Sequence, residues 1–245
     1  MDDLKALGVN TFRLDVTDQE SVNNAKELII KETGGRLDYL INNAGQPCTM
    51  PAIDASIEMV QQVFDVNFHG VVRMTNAFSQ ILIASKGKII QIGSVAGIFP
   101  FPWGAYYGAT KAALHQYSSV LRLELKPFDV DVVTIVTGGV HTNISDDRDI
   151  PEGSLYIDAE EGIQDRRRMA RNNQPMSSDE YAKRVFRAIN KPVAPEQLWE
   201  GSYVTLLRFF NSYMPRWFII FVLSRKFGLY EFYAKVRARY SKKNI

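Results

Sequence analysis

The chain has 245 residues, 46% of them hydrophobic and 23% charged, enough to bury one full-sized core and too few for two equal catalytic domains. A single cysteine, Cys48, excludes an internal disulfide, and His69, His115 and His141 fall on separate elements, so no metal-ligand cluster is expected. The net charge of +2 divides into +8 over residues 201–245, where nine Lys or Arg face only Glu231, and −6 over the first 200, a distribution that suits an anionic lipid surface rather than nucleic acid.

Met1 to Lys5 read as the end of an amphipathic helix, not as an apolar signal segment. A short strand is predicted over 11–16 (TFRLDV), then a helix over 21–31 with Asp18 as its N-cap. Residues 37–41 make a buried strand ending in the turn Asn42, Asn43, Ala44, Gly45. A long helical region over 57–83 follows, then a strand over 88–92 and a loop holding Pro100 and Pro102. Residues 107–126 are predicted helical and 130–136 a continuous apolar strand. Apolar strands separated by helices imply βαβ units, a parallel sheet covered on both faces and a doubly wound α/β fold. Such a sheet binds ligands beyond the carboxyl ends of its strands, which gathers Asp15, residues 42–45, Ser94 and residues 138–142 along one rim.

Past that rim, residues 145–175 form a polar insert with Arg166, Arg167 and Arg168, read either as a substrate loop containing a helix or as a solvated helix. A helix over 178–190, opened by Asp179 and Glu180, and a last strand over 198–204 are predicted next. The segment 203–223 (YVTLLRFFNSYMPRWFIIFVL) is apolar and aromatic, but Arg208, Asn211, Pro215 and Arg216 argue against a straight bilayer span. It suits an interfacial element, with a substrate-pocket wall or a homodimer surface as alternatives. The basic tail of Lys235, Arg237, Arg239, Lys242 and Lys243 favours the membrane. The chain thus divides into an α/β body over 1–200 and a C-terminal extension over 201–245.

Tyr107 and Lys111 are four residues apart on a helix, so both side chains leave one face. An ammonium group beside a phenol favours phenolate and lowers the phenol's pKa, although the spacing by itself is common. Ser94, just beyond the strand ending at Ile92, points its hydroxyl over the rim, where it serves either as donor to a carbonyl oxygen or as a turn cap. Asn67 sits in an apolar helical passage with Phe64, Val66 and Phe68, where its amide orients a water, holds the Lys111 side chain through backbone contacts, or serves packing alone.

Taken together, Asn42-Asn43-Ala44-Gly45 and the ordered set Asn67, Ser94, Tyr107 and Lys111 resemble the short-chain dehydrogenase/reductase family over residues 11–142. The resemblance implies a catalytic tetrad of Asn67, Ser94, Tyr107 and Lys111 in an NAD(P)-dependent oxidoreductase with a Rossmann-type sheet. It further implies that Asp15 meets the adenine ring and that Asn43, Ala44, Gly45, Asn67 and Tyr107 border the cofactor. Lys111 then binds the nicotinamide ribose, and the Val140 backbone and Thr142 hydroxyl hold the carboxamide. Thr137-Gly138 stands where the family has Pro-Gly, which leaves that turn less fixed.

Family members open with a strand and a glycine-rich turn that cradles the pyrophosphate, and this sequence starts within what would be the second helix. Met1 is therefore expected to be internal to a longer chain, and these 245 residues alone to hold NADPH weakly or not at all. The residues that choose between NADH and NADPH fall in the same gap. Within the family, Gly93 to Gly97, Tyr106 to Lys111 and the apolar basic C-terminus are similar to fungal reductases of 1-acyldihydroxyacetone phosphate, which use NADPH on endoplasmic reticulum and lipid droplets. The resemblance implies reduction of a lipid ketone at the cytosolic face of such a membrane, with a basic group such as Arg166 near the phosphate. Sterol, retinoid or 3-ketoacyl ketones are alternative substrates. An acylglycerol lipase is disfavoured because no Gly-x-Ser-x-Gly elbow occurs, and an inactive lipid-surface protein is the remaining alternative.

Overall fold

In the computed structural model, which describes residues 2–142, 144, 146, 148–191 and 193–243, the apolar runs pair into one sheet. Strands β1 (Tyr39–Asn42), β2 (Lys88–Ile92), β3 (Asp131–Thr137) and β4 (Gln197–Glu200) lie side by side in that order, all parallel. The twofold alternation of strand side chains sends Ile89 and Val132 to one face and Ile90 and Val133 to the other. On the first face they meet Val22 of α2 (Gln19–Thr33), Phe78 and Leu82 of α4 (Gly70–Ser85), and Leu121 of α5 (Ala105–Leu125). Val185 and Ile189 of α7 (Ser178–Ile189) cover the second face. A short α1 (Asp2–Ala6) precedes these elements.

Two strand expectations need correction. Residues 11–16 form no strand; Phe12, Leu14 and Val16 turn inward against the α2–α4 core while Arg13 and Asp15 face out, but the segment has no ladder partner. The last strand stops at Glu200, not at residue 204, because Gly201 at φ +111° and Tyr203 at φ +64° turn the chain into a helix. Asp18 caps α2 as expected, its carboxylate accepting from the Glu20 N–H.

The helical region after β1 is α3 (Ile57–Phe64) running into α4 through a π-helical turn, Asp65–His69. That widened turn carries Asn67, fully buried, and π-turns of this kind are frequent at functional positions. The polar insert contains the 3₁₀ turn Ile157–Ala159 and α6 (Glu160–Asn172), while Ser145, the first residue of the predicted insert, lies outside the described residues.

Residues beyond β4 make three helices, α8 (Val204–Tyr213), α9 (Arg216–Lys226) and α10 (Leu229–Lys243). Val204, Leu207, Phe210 and Ile219 pack on Val95 and Phe99 of the loop after β2. Phe232 of α10 stacks with Tyr156 and meets Trp103 edge-on, beside Ile163 of α6. Among the described residues no helix is long and apolar enough to cross a membrane.

Candidate active site

A cleft of about 520 Å³ opens at the carboxyl ends of β1, β2 and β3, within the usual size range of small-ligand sites. Its floor comes from the sheet end: Asn43 and Gly45 after β1, Gly93 and Ser94 after β2, Gly138 to Val140 after β3. Tyr107 and Lys111 of α5 form one wall, and α6 supplies Arg166, Arg167 and Met169. Leu206, Leu207, Phe210, Ile219, Val222 and Leu223 of α8 and α9 make the apolar wall.

Gly93 and Gly97 let α5 approach the loop after β2, since a Cβ on Gly97 would lie 2.8 Å from the Lys111 carbonyl carbon. The approach puts His115 under Ser94, where its Nε2 accepts from the Ser94 backbone N–H at 3.2 Å. Burial, helped by the charge on Lys111, holds the His115 pKa at about 4, so the ring is neutral and Nε2 stays an acceptor. The Ser94 hydroxyl oxygen accepts from the Ala96 N–H at 3.1 Å, capping the 3₁₀ turn Val95–Gly97. Its own proton is left to donate into the cleft.

Lys111 is 5% exposed, and its ammonium donates to the Ile92 carbonyl at 2.8 Å. Burial brings its pKa down to about 8. The ammonium lies 5.8 Å from the centroid of the Tyr107 ring. Burial pushes the Tyr107 phenol up, and the groups that oppose it are the Ser94 hydroxyl and then the Arg166 guanidinium. Lys111 thus stands beside the phenol ring with its ammonium hydrogen-bonded to Ile92, and Arg166 of α6 adds a second cation to the same cleft.

Asn67 lies behind this wall. Its Oδ1 accepts from Gln46 N–H at 2.8 Å, and its Nδ2 donates to the Gln46 carbonyl at 3.0 Å and to Thr110 Oγ1 at 3.1 Å. These contacts run to the Gln46 backbone and to Thr110, and none of them reaches the Lys111 side chain. The amide ties the turn after β1 to α5, and Gly45 keeps the space between them clear, since a Cβ there would lie 3.4 Å from Asn67 Oδ1 and 3.8 Å from Lys111 Nζ.

The structure therefore gathers Asn43, Gly45, Ser94, Tyr107, Lys111, Val140 and Thr142 at one cleft, with Asn67 directly behind. Asp15 and Ala44 are not among the cleft residues. Asp15 is exposed, and its carboxylate accepts from the Thr17 hydroxyl and N–H, which holds its pKa below the usual carboxylate range. Sequence reasoning did not find His115 as the support of Ser94; the signal was Gly93, whose missing side chain is filled by the imidazole. Among the described residues no group of His, Cys, Asp and Glu could hold a metal ion.

Residues 1–152 match the family described as short chain dehydrogenase. The chain belongs to the short-chain dehydrogenase family. It is 41% identical over 224 residues to the NADPH-dependent 1-acyldihydroxyacetone phosphate reductase of Saccharomyces cerevisiae, covering 90% of this chain and 75% of that protein. Short-chain dehydrogenase virD of Hypocrea virens is also 41% identical, over 231 residues, 93% of this chain and 80% of its own. Among solved structures, a short-chain dehydrogenase from Streptomyces avermitilis superposes with a TM-score of 0.74 at 26% identity, covering 84% of this chain and 76% of its own.

Proposed function

We propose that this member of the short-chain dehydrogenase family reduces a lipid ketone to a secondary alcohol with NADPH, and that Tyr107 donates the proton. The observation that carries the reading is the meeting of the Tyr107 phenol, the Ser94 hydroxyl and the Lys111 ammonium with an apolar wall from α8 and α9 in one cleft. Relatives whose names specify NADPH and an acyl-dihydroxyacetone phosphate, from Saccharomyces cerevisiae and Schizosaccharomyces pombe, support that cofactor and make 1-acyldihydroxyacetone phosphate the first substrate to test.

The residues at the sheet end suit the nicotinamide half of the cofactor, because Gly45, Gly138 and Gly139 line the cleft together with Lys111, and a Cβ on Gly45 would crowd the space 3.8 Å from the Lys111 ammonium. Asn43, Gly45, Lys111, Val140 and Thr142 would hold it. Bound there, the cofactor would supply the hydride that the reduction needs. Ser94 donates its free hydroxyl proton to the carbonyl oxygen and fixes its position. Tyr107, kept protonated by burial, passes its proton to that oxygen as charge builds there. Lys111 stays an ammonium below about pH 8 and adds positive charge to the same region. Asn67 contributes by holding the floor and the α5 wall in register.

The outer edge of β1 has no partner among the described residues, with Ile41 54% exposed, and segment 11–16 lies extended without a ladder. We place the family's first strand and its glycine turn at that edge, where they would complete the pyrophosphate site. The C-terminal helices carry the second part of the proposal. Their inner residues line the cleft while Phe209, Tyr213, Trp217 and Phe221 face outward, so the outer face dips into an anionic membrane and the acyl chain reaches the cleft from the lipid.

The test is NADPH oxidation with a panel of long-chain ketones by a form of the protein first shown to bind NADPH. Turnover of acyl-dihydroxyacetone phosphate above sterol, retinoid and 3-ketoacyl ketones is expected. Preference for one of those three would move the substrate, and turnover of none would defeat the reading.

A further inference from the structure

Three arginines follow one another on α6, and their surroundings differ. Arg168 is exposed. Arg167 donates to the carbonyls of Thr49 and Arg148, which ties α6 to the loop after β1. Arg166 makes no hydrogen bond and no ion pair among the described residues, although its Nε is shut off from solvent. The face of its guanidinium rests on the Phe101 ring, 5.0 Å from the centroid, which leaves the in-plane N–H groups as its only polar edge.

The cleft around it is short of negative charge. Asp146 is its only carboxylate among the described residues, and that side chain is already taken by Arg148 and by the Thr49 N–H. Lys226 of α9 stands at the same cleft; burial lowers the pKa of both cations, and the Arg166 charge lowers that of Lys226 further. A half-buried guanidinium with free donors, a second cation and no available carboxylate is a site short of an anion.

We propose that Arg166, assisted by Lys226 at the cleft mouth, is the subsite for a phosphate monoester carried by the ketone substrate. The proposal rests on the reductase reading and narrows it to ketones that bear phosphate close to the reacting carbon. Arg166 and Tyr107 line the same cleft, so an oxyanion group held by Arg166 shares that cleft with the proton donor. In a dihydroxyacetone phosphate ester one methylene and one ester oxygen separate the carbonyl carbon from phosphorus, a spacing short enough for both ends to be held in one cleft. The acyl chain then runs in the other direction, along the wall of Leu206, Phe210 and Ile219.

Binding tests this without turnover. Calorimetry on this chain would compare 1-hexanoylglycerol 3-phosphate with 1-hexanoylglycerol, the short acyl chain keeping both ligands monomeric. The phosphate ligand is expected to bind about 30-fold more tightly, the scale of a charge-assisted hydrogen-bonded pair. Arg166→Gln is expected to bring the two ligands within about 3-fold of each other while leaving the neutral ligand's affinity in place. Arg166→Lys, which keeps charge and stem, is expected to retain part of the preference and guards against a folding defect of the glutamine variant. Equal binding of the two ligands by the wild type, or an undiminished preference in Arg166→Gln, would overturn the proposal. Either failure leaves the reductase reading standing, because no step of the assay depends on Tyr107 or on a hydride.

Discussion

Ser94 has three separate tasks, and each is given to a different atom. Its backbone N–H rests on His115, its oxygen caps a turn through Ala96, and its hydroxyl proton is left for the cleft. The first of these makes the site sensitive to acid. Folded His115 takes a proton only near pH 4, whereas the unfolded residue does so near 6.5. Stability present above pH 6.5 is therefore lost as pH falls toward 4, by about 2–3 kcal/mol from this group. Thermal denaturation between pH 4 and 7 is expected to show a Tm that drops toward acid, with a shallower drop in His115→Gln; an unchanged slope in that variant would contradict the assignment. Tyr107, Lys111, Ser94 and Asn67 were legible in the sequence because their spacing along three elements is a pattern. The support of Ser94 by His115 was not, since the imidazole reaches that backbone only through the packing of α5 on the loop after β2, and no local spacing encodes that.

Helices and central strands could be read from apolar runs and caps, as with Asp18 before α2 and the run DVVTIVT of β3. Residues 11–16 carry the same alternation but form no strand, because a ladder needs a neighbour and alternation reports only which side chains face the core. The π-turn at Asp65–His69 was equally hidden: its composition is that of an α-helix, and only the buried Asn67 amide marks it. At the other side of the cleft, α6 meets the chain between α9 and α10 through Gly162, where a Cβ would lie 2.5 Å from the Phe227 carbonyl oxygen. Gly162→Val is expected to force these elements apart, at a cost of about 1–3 kcal/mol and a Tm lower by about 5 °C. Because Arg166 lies one turn further along α6, the same variant is expected to raise KM more than it lowers kcat. A variant with wild-type Tm and KM would show that the close approach of α6 to Phe227 is unimportant.

At the scale of the whole molecule, charge and apolar surface are segregated in the same direction. Trp217 is 69% exposed and Tyr213 73%, on helices whose opposite sides line the cleft and whose chain segment holds the +8 charge excess. Co-flotation with vesicles is expected for phosphatidylserine mixtures and not for purely zwitterionic ones. It should weaken with salt and fall at least tenfold when Phe209 and Trp217 are both replaced by Ser, since an interfacial element combines apolar burial with about 1 kcal/mol per basic group. Flotation independent of lipid charge and of those two rings would remove the membrane from the account. The fold class and, apart from Asp15 and Ala44, the rim of the sheet followed from the sequence; the continuity between the active-site wall and the exposed aromatic face did not, because it depends on how α8 and α9 turn at Pro215. What joins these scales in the proposed reaction is one proton, passed from Tyr107 to a ketone oxygen held by Ser94. The most direct measurement is ketone-dependent NADPH oxidation by the active enzyme and by Tyr107→Phe, with the circular dichroism spectra of the two compared. An unchanged spectrum with kcat lower by about 10³-fold or more is the expected result; a phenylalanine variant that turns over within a few-fold of the wild type would contradict the account.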